Sequence, residues 1–240
     1  MRVPLVLLAC LALAACSPGK GEPVAFPSAS STASVSASPA PAPSPSPMPP
    51  ATSRPPVKAN GTGVFTRTAA GGTGVFGTAG SLKKYCVQVE EAIDFSPDEF
   101  ASVIDVVLAG DKSWIASKKW MFQRVPSCDG ANLRIKLAIP KTVDRLCAPV
   151  AQTVGKFSCR NGSNIYINLD RWTLGVKHFP DLGVYRQMVI NHEVGHFLGH
   201  SHVACGGAGQ LAPVMQRQSD TLDGCVLNPY PYPDGVHYLG

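Results

Sequence analysis

The residues best placed to do chemistry stand in one short run, His192-Glu193-Val194-Gly195-His196-Phe197-Leu198-Gly199-His200-Ser201-His202. On a helix, positions four apart share a face about one turn apart. His192 and His196 can therefore direct two imidazoles at one metal ion. Glu193 lies ~100° round the same helix, where it can reach a water at the metal without being a ligand. Gly199 is a stop signal, because glycine tolerates the left-handed backbone that ends many helices. A chain that turns there can bring His202 back as a third ligand. Three protein ligands leave one tetrahedral position for water, as in catalytic rather than structural zinc sites. The expected cofactor is Zn2+, held by His192, His196 and His202, with Glu193 as the catalytic base. His200 has helical spacing from His196, but Gly199 puts it past the helix end and makes it an incidental histidine. His178 and His237 are expected at the surface.

A bare H-E-x-x-H is only suggestive; Gly199 and His202 at fixed spacing make chance a poor explanation. The whole run resembles the zinc-binding consensus of the metzincin metallopeptidases. Those enzymes carry a methionine turn beneath the metal, and the resemblance implies that role for Met215, in Ala212-Pro213-Val214-Met215. The specificity pocket would draw on the segment after Met215. Some metzincins place a tyrosine close after the methionine; Gln216-Arg217-Gln218 stand there here, so that role has no support. From about Gly61 to the C terminus the chain also resembles a family of secreted actinobacterial proteins of unknown function. The matching pieces are Ser113-Trp114, Phe122-Gln123-Arg124-Val125, Asn168 with Arg171-Trp172, Tyr185-Arg186-Gln187, Asn191 to His196, and Ala212 to Met215. That resemblance implies a fold and a metal, and no substrate.

The N terminus suggests a location. After Met1-Arg2, Val3 to Ala15 is apolar but too short to span a bilayer as a mature helix. It ends in Leu13-Ala14-Ala15-Cys16, which resembles a bacterial lipobox. Residues 1–15 are expected to be a lipoprotein signal peptide and Cys16 the lipidated first residue, anchoring the chain outside the cytoplasm to the bacterial cell membrane. Residues 16–59 read as a disordered stalk rich in Pro, Ser and Ala. Ser17 to Lys58 holds 12 of the chain's 22 prolines and few large apolar residues, too few to bury a core. Residues 60–240 remain for one domain, the metallopeptidase-like part.

The chain has eight cysteines. Setting aside Cys10 in the signal and Cys16 at the lipid leaves an even set of six, which an oxidising compartment would join into three disulfides. Spacing alone leaves many pairings open. The expected one is Cys86–Cys128, Cys147–Cys159 and Cys205–Cys225, the last clamping the segment that holds Met215. No C-x-x-C pair points to cysteine-bound zinc. Lys and Arg total 21 against 16 Asp and Glu, a net +5. The basic residues are scattered, so no nucleic-acid partner is expected, and the chain is expected to be a monomer.

Around the site, the sequence predicts an α+β fold of zincin type: a twisted mixed sheet, a backing helix, an active-site helix and an irregular, disulfide-linked C-terminal part. Two Gly-Thr-Gly-Val-Phe copies, from Gly61 and from Gly72, suggest a small hairpin. Strands are expected over Leu82–Glu90, Phe122–Val125, Leu133–Ala138 and Ile165–Leu169. The last is a candidate exposed edge for an extended peptide, or else a paired core strand. Ser96-Pro97-Asp98-Glu99 is a capping box that should start a helix running to about Ala109 with Phe100, Val103, Ile104 and Val107 on one face. A second helix should follow Asp181 and end near Leu198.

The function these residues suggest is a zinc-dependent endopeptidase acting on peptides or proteins of the cell envelope. A cell-wall peptide or amide hydrolase and a non-catalytic zinc-containing binding module are the alternatives.

Overall fold

A computed structural model of the chain describes residues 61–67, 70–72 and 74–240. The expected signal peptide, Cys16 and the stalk lie outside the described residues. The fold is mixed α+β, with a seven-stranded mixed sheet and four α-helices among the described residues.

The sheet is built on β3 (Ser81–Glu90) and β5 (Leu133–Ala138), which run parallel, with β7 (Asn164–Asn168) parallel beyond β5. β4 (Trp120–Arg124) lies parallel to the first half of β3, on the side away from β5. β1 (Phe65–Arg67) pairs antiparallel with the end of β3 on that same side. The outermost strands are β2 (Val75–Phe76), antiparallel to β4, and β6 (Cys159–Asn161), antiparallel to β7. In β5, Leu133, Ile135 and Leu137 are fully buried while Arg134 and Lys136 are half-buried, as period-two alternation requires.

Two sequence expectations are corrected here. The repeated Gly-Thr-Gly-Val-Phe segments form no hairpin with each other. The first feeds β1 onto β3 and the second feeds β2 onto β4, so each short strand takes a longer strand as partner. Nor is the Ile165–Leu169 segment an exposed edge. β7 is paired on both sides, Ile165 and Ile167 are buried, and Leu169 already belongs to the helix that follows.

α1 (Pro97–Ala109) starts at the expected cap. Ser96 Oγ accepts from the Glu99 amide at 3.4 Å, and Pro97 occupies the first turn, where a missing N–H costs nothing. Phe100, Ile104 and Val107 are buried and Val103 packs at the margin, fixing the helix against β3 and α4. α4 (Leu182–Phe197) is capped by Asp181, whose carboxylate accepts from the Val184 amide at 3.0 Å. Unlike α1 it has no broad solvent face: Met188 through Gly195 are all buried. A helix buried this fully is positioned by its surroundings, not by an amphipathic stripe. α2 (Pro140–Cys147) covers a smaller cluster on the opposite face of the sheet, where Val143 meets Tyr166 of β7. α3 (Leu169–Leu174) follows β7 directly, with Asn168 Oδ1 accepting from the amides of Asp170 and Arg171.

The three disulfides join Cys86 to Cys128, Cys147 to Cys159, and Cys205 to Cys225. Each is worth about 2–4 kcal/mol in a typical domain. The last matters most for the site. Past α4 the chain has almost no regular structure, only an isolated bridge between Leu211 and Val226 among the described residues. That stretch is held instead by the Cys205–Cys225 ring and by side-chain amides. Gln218 bonds to the Pro213 and Asn228 carbonyls, and Asn228 in turn to those of Ala212 and Tyr230. No helix among the described residues is long and apolar enough to cross a membrane.

Candidate metal centre

α4 stops at Phe197 because Gly199 adopts φ +99°, a left-handed value that a glycine accepts without strain. The His200 amide closes back on the Gly195 carbonyl at 3.0 Å. The chain then reverses, and His202 meets the two helical histidines. His202 Nε2 lies 3.3 Å from His192 Nε2 and 3.1 Å from His196 Nε2. One nitrogen from each of the three rings falls within 4.8 Å of the others.

The opposite edges of the rings decide what those contacts are. His192 Nδ1 donates to the Val214 carbonyl at 2.9 Å, and His196 Nδ1 donates to the His200 carbonyl at 2.8 Å. A carbonyl only accepts, so both protons sit on Nδ1 and each neutral ring offers a bare lone pair at Nε2. Lone pairs crowded on one point repel unless a cation stands between them. Ligands ~2.05 Å from a common centre at tetrahedral angles are ~3.3 Å apart, which the two Nε2 separations match. Protonation is not the remedy this site favours. Burial, reinforced by the nearby His196 charge, pushes the His192 pKa down to about 3, and burial lowers His196 and His202 as well. The three histidines thus fit a divalent metal of zinc's size and ligand preference.

Glu193 is buried beside them. Burial alone pushes its carboxyl up to about 8, and Oε2 has no hydrogen-bond partner in the protein. A buried carboxyl left unpaired carries a desolvation cost of roughly 1–3 kcal/mol, a cost met most often at sites where such a group has work to do on a ligand.

Met215 is fully buried against Gly195 of α4. A Cβ on Gly195 would collide with the Met215 sulfur and come within 2.8 Å of the Trp114 ring. The glycine is therefore required by close approach, not by backbone freedom. Two residues outside the motif hold α4 in register. Ser113 Oγ bonds to Asn191 Oδ1 at 2.8 Å, and Trp114 Nε1 donates to the Asn191 carbonyl at 2.9 Å. Asn191 Nδ2 donates in turn to the Pro229 carbonyl. Sequence reasoning gave Asn191 no role; its position directly before the first histidine was the available signal.

The remaining histidines stand apart from the cluster. His200 stacks on Trp114, ring centres 4.8 Å apart, and its Nδ1 pairs with the Tyr238 hydroxyl at 2.8 Å. His237 is exposed against Asp234. His178 is only half-buried at the surface, and its Nε2 donates to the Gln218 carbonyl at 2.6 Å.

The centre opens into a cleft of ≈ 610 Å³ between β6, α4 and the segment after Met215. Met188, Val189 and Phe157 give it apolar wall; Arg160, Arg217 and Asp220 give it charge. The edge strand at the cleft is therefore β6, with its outer side unpaired in the sheet, where the sequence suggested β7.

Fold and site together define a disulfide-linked α+β protein with a three-histidine candidate metal centre. The chain belongs to the family described as Protein of unknown function (DUF3152), which it matches over residues 52–229. No curated protein and no solved structure matches it.

Proposed function

We propose that the protein is a zinc-dependent endopeptidase of zincin type, working outside the cytoplasm on peptides or proteins of the cell envelope, with Cys16 as its lipid anchor. The observation that carries this reading is the convergence of three Nε2 lone pairs beside a buried carboxyl whose Oε2 has no protein partner. Structural sites close around their metal with four protein ligands; this cluster supplies three and faces a cleft.

His192, His196 and His202 would hold the metal as neutral imidazoles. Bound there, zinc would supply Lewis acidity toward the scissile carbonyl and toward water. Glu193 takes one proton from the attacking water as the new C–O bond forms. It then delivers that proton to the departing nitrogen as the C–N bond breaks, leaving a carboxylic acid and an amine and restoring its own charge. Met215 supports the metal ligands from below through its contact with Gly195, as the resemblance to metzincins implies. The outer edge of β6 can take an extended peptide by backbone pairing, holding the bond to be cut over the histidines.

Zinc content and cleavage of a broad peptide library, measured on the purified full-length protein and on Glu193→Ala, test the reading. Both proteins should bind about one zinc per chain. Removing the base should lower cleavage by about a hundredfold or more. Full activity in Glu193→Ala overturns the mechanism. Bound zinc with no turnover by the native protein overturns the hydrolase and favours a binding module.

A further inference from the structure

Two guanidinium groups face the cleft without a part in the proton transfers. Arg160 projects from β6, the strand proposed to align the substrate, and Arg217 lies two residues past Met215. They come from different walls of the one cleft that His192, His196 and His202 also line. Arg217 lies over the Phe157 ring at 5.3 Å and within 3.4 Å of Asp220 Oδ2, with about half of each side chain exposed. Among the described residues no carboxylate pairs with Arg160.

Placed here, both cations work against the metal. Like charges near a dication lower its affinity, and the effect grows as the cleft excludes water. Surface arginines that serve only solubility have no reason to converge on a concave, metal-binding wall. Asp220 answers Arg217 only through a half-exposed contact, Glu193 is committed to the water, and neither pairs with Arg160. An incoming anion would meet one unshared guanidinium and one that is planar, stacked and partly pre-oriented.

We propose that the cleft selects peptides carrying a carboxylate close to the bond cut, held by Arg160 and Arg217. The proposal rests on the peptidase reading for the bond that breaks, but the carboxylate contact itself does not depend on turnover. The carboxylate has two sources, an Asp or Glu side chain or the free end of the peptide, and they recruit the same two groups.

Four randomised decapeptide pools distinguish the outcomes: a fixed central Glu or Gln, each with a free or an amidated C terminus. The native zinc-loaded protein should process Glu pools about fivefold faster than Gln pools, the size expected of a partly screened charge-assisted contact. If the free-terminus pools instead outrun the amidated ones and Glu and Gln pools do not differ, the free terminus is the source. Arg160→Gln and Arg217→Gln should each shrink the ratio toward one, chiefly through KM. Equal rates on all four pools overturn the proposal and leave the peptidase intact. Binding of the same pools to zinc-loaded Glu193→Ala gives an independent readout. If nothing is cleaved, a Glu or free-carboxylate preference in binding, lost in the double variant with Arg160→Gln, sustains the proposal while the peptidase reading falls. No preference there overturns both.

Discussion

At the scale of single residues, the Nδ1 atoms of His192 and His196 are as informative as their Nε2 atoms. Their carbonyl partners fix the tautomer and aim the lone pairs, the usual arrangement around a metal-binding histidine. His202→Ala should therefore weaken zinc binding by more than about tenfold, while His200→Ala leaves the stoichiometry near one. Equal losses in the two variants would mean the ligand assignment is wrong. Glu193 makes a second prediction, for the metal-free protein. Its folded pKa is raised from 4.5 to about 8, so the folded chain holds a proton that the unfolded chain releases. The associated stability is fully present below pH 4.5 and is lost as pH rises to about 8. Glu193→Gln removes that titration and should raise metal-free stability at pH 8 by about 2 kcal/mol. Denaturant melts at pH 5 and pH 8 check the sign: the gain must be larger at the higher pH.

At the scale of elements, α4 is seated by what surrounds it. Gly195 admits Met215 and Trp114 so closely that Gly195→Ala should cost about 2–3 kcal/mol through overpacking. It should also loosen the metal, because the same contact fixes the ligand-bearing turns. An alanine variant as stable as the native protein would show that the seat yields easily. Elements with long periodic faces were legible in the sequence: β3, β5 and α1 with its capping box; α4 has no such face and was legible from its Asp181 cap and the Gly199 stop. So was the clustering of His192, His196 and His202, because it follows from fixed local spacing. The elements that were missed are short or carry no apolar period. α2 begins without a side-chain cap, and α3 spans only Leu169–Leu174, less than two turns. β6 reads Cys-Arg-Asn, with no hydrophobic alternation. Its signal was Asn161-Gly162, a hairpin dipeptide, with Gly162 at φ +59°. Missing that turn put the edge one strand too far in. The histidine cluster needed only local geometry, but the edge and the arginines at the cleft depend on pairing between distant strands, which composition does not reveal.

At the scale of the whole molecule, a metal at the three histidines and the apolar core are expected to be largely separate sources of stability. The main core lies between the sheet and α1 and α4 and is built of apolar side chains. Chelation should lower the thermal midpoint and leave far-UV dichroism nearly unchanged at room temperature; loss of that signal would mean the metal is required to fold. Replacing Cys205 and Cys225 together by serine should cost about 2–4 kcal/mol. It should also weaken zinc binding more than the same change at Cys86 and Cys128, since only the first ring encloses Met215 and Val214. A further consequence follows from where the cleft wall lies along the chain. Every residue lining it falls between Val150 and Asp220; β1 to β5 contribute none, and Ser113 and Trp114 act only as a foundation under α4. If the protein is the proposed peptidase, its selectivity is expected to be modular. Within this family, a chimera that transplants residues 150–220 onto another member's strands should carry the donor's substrate preference with it, while the recipient half sets little beyond the melting temperature.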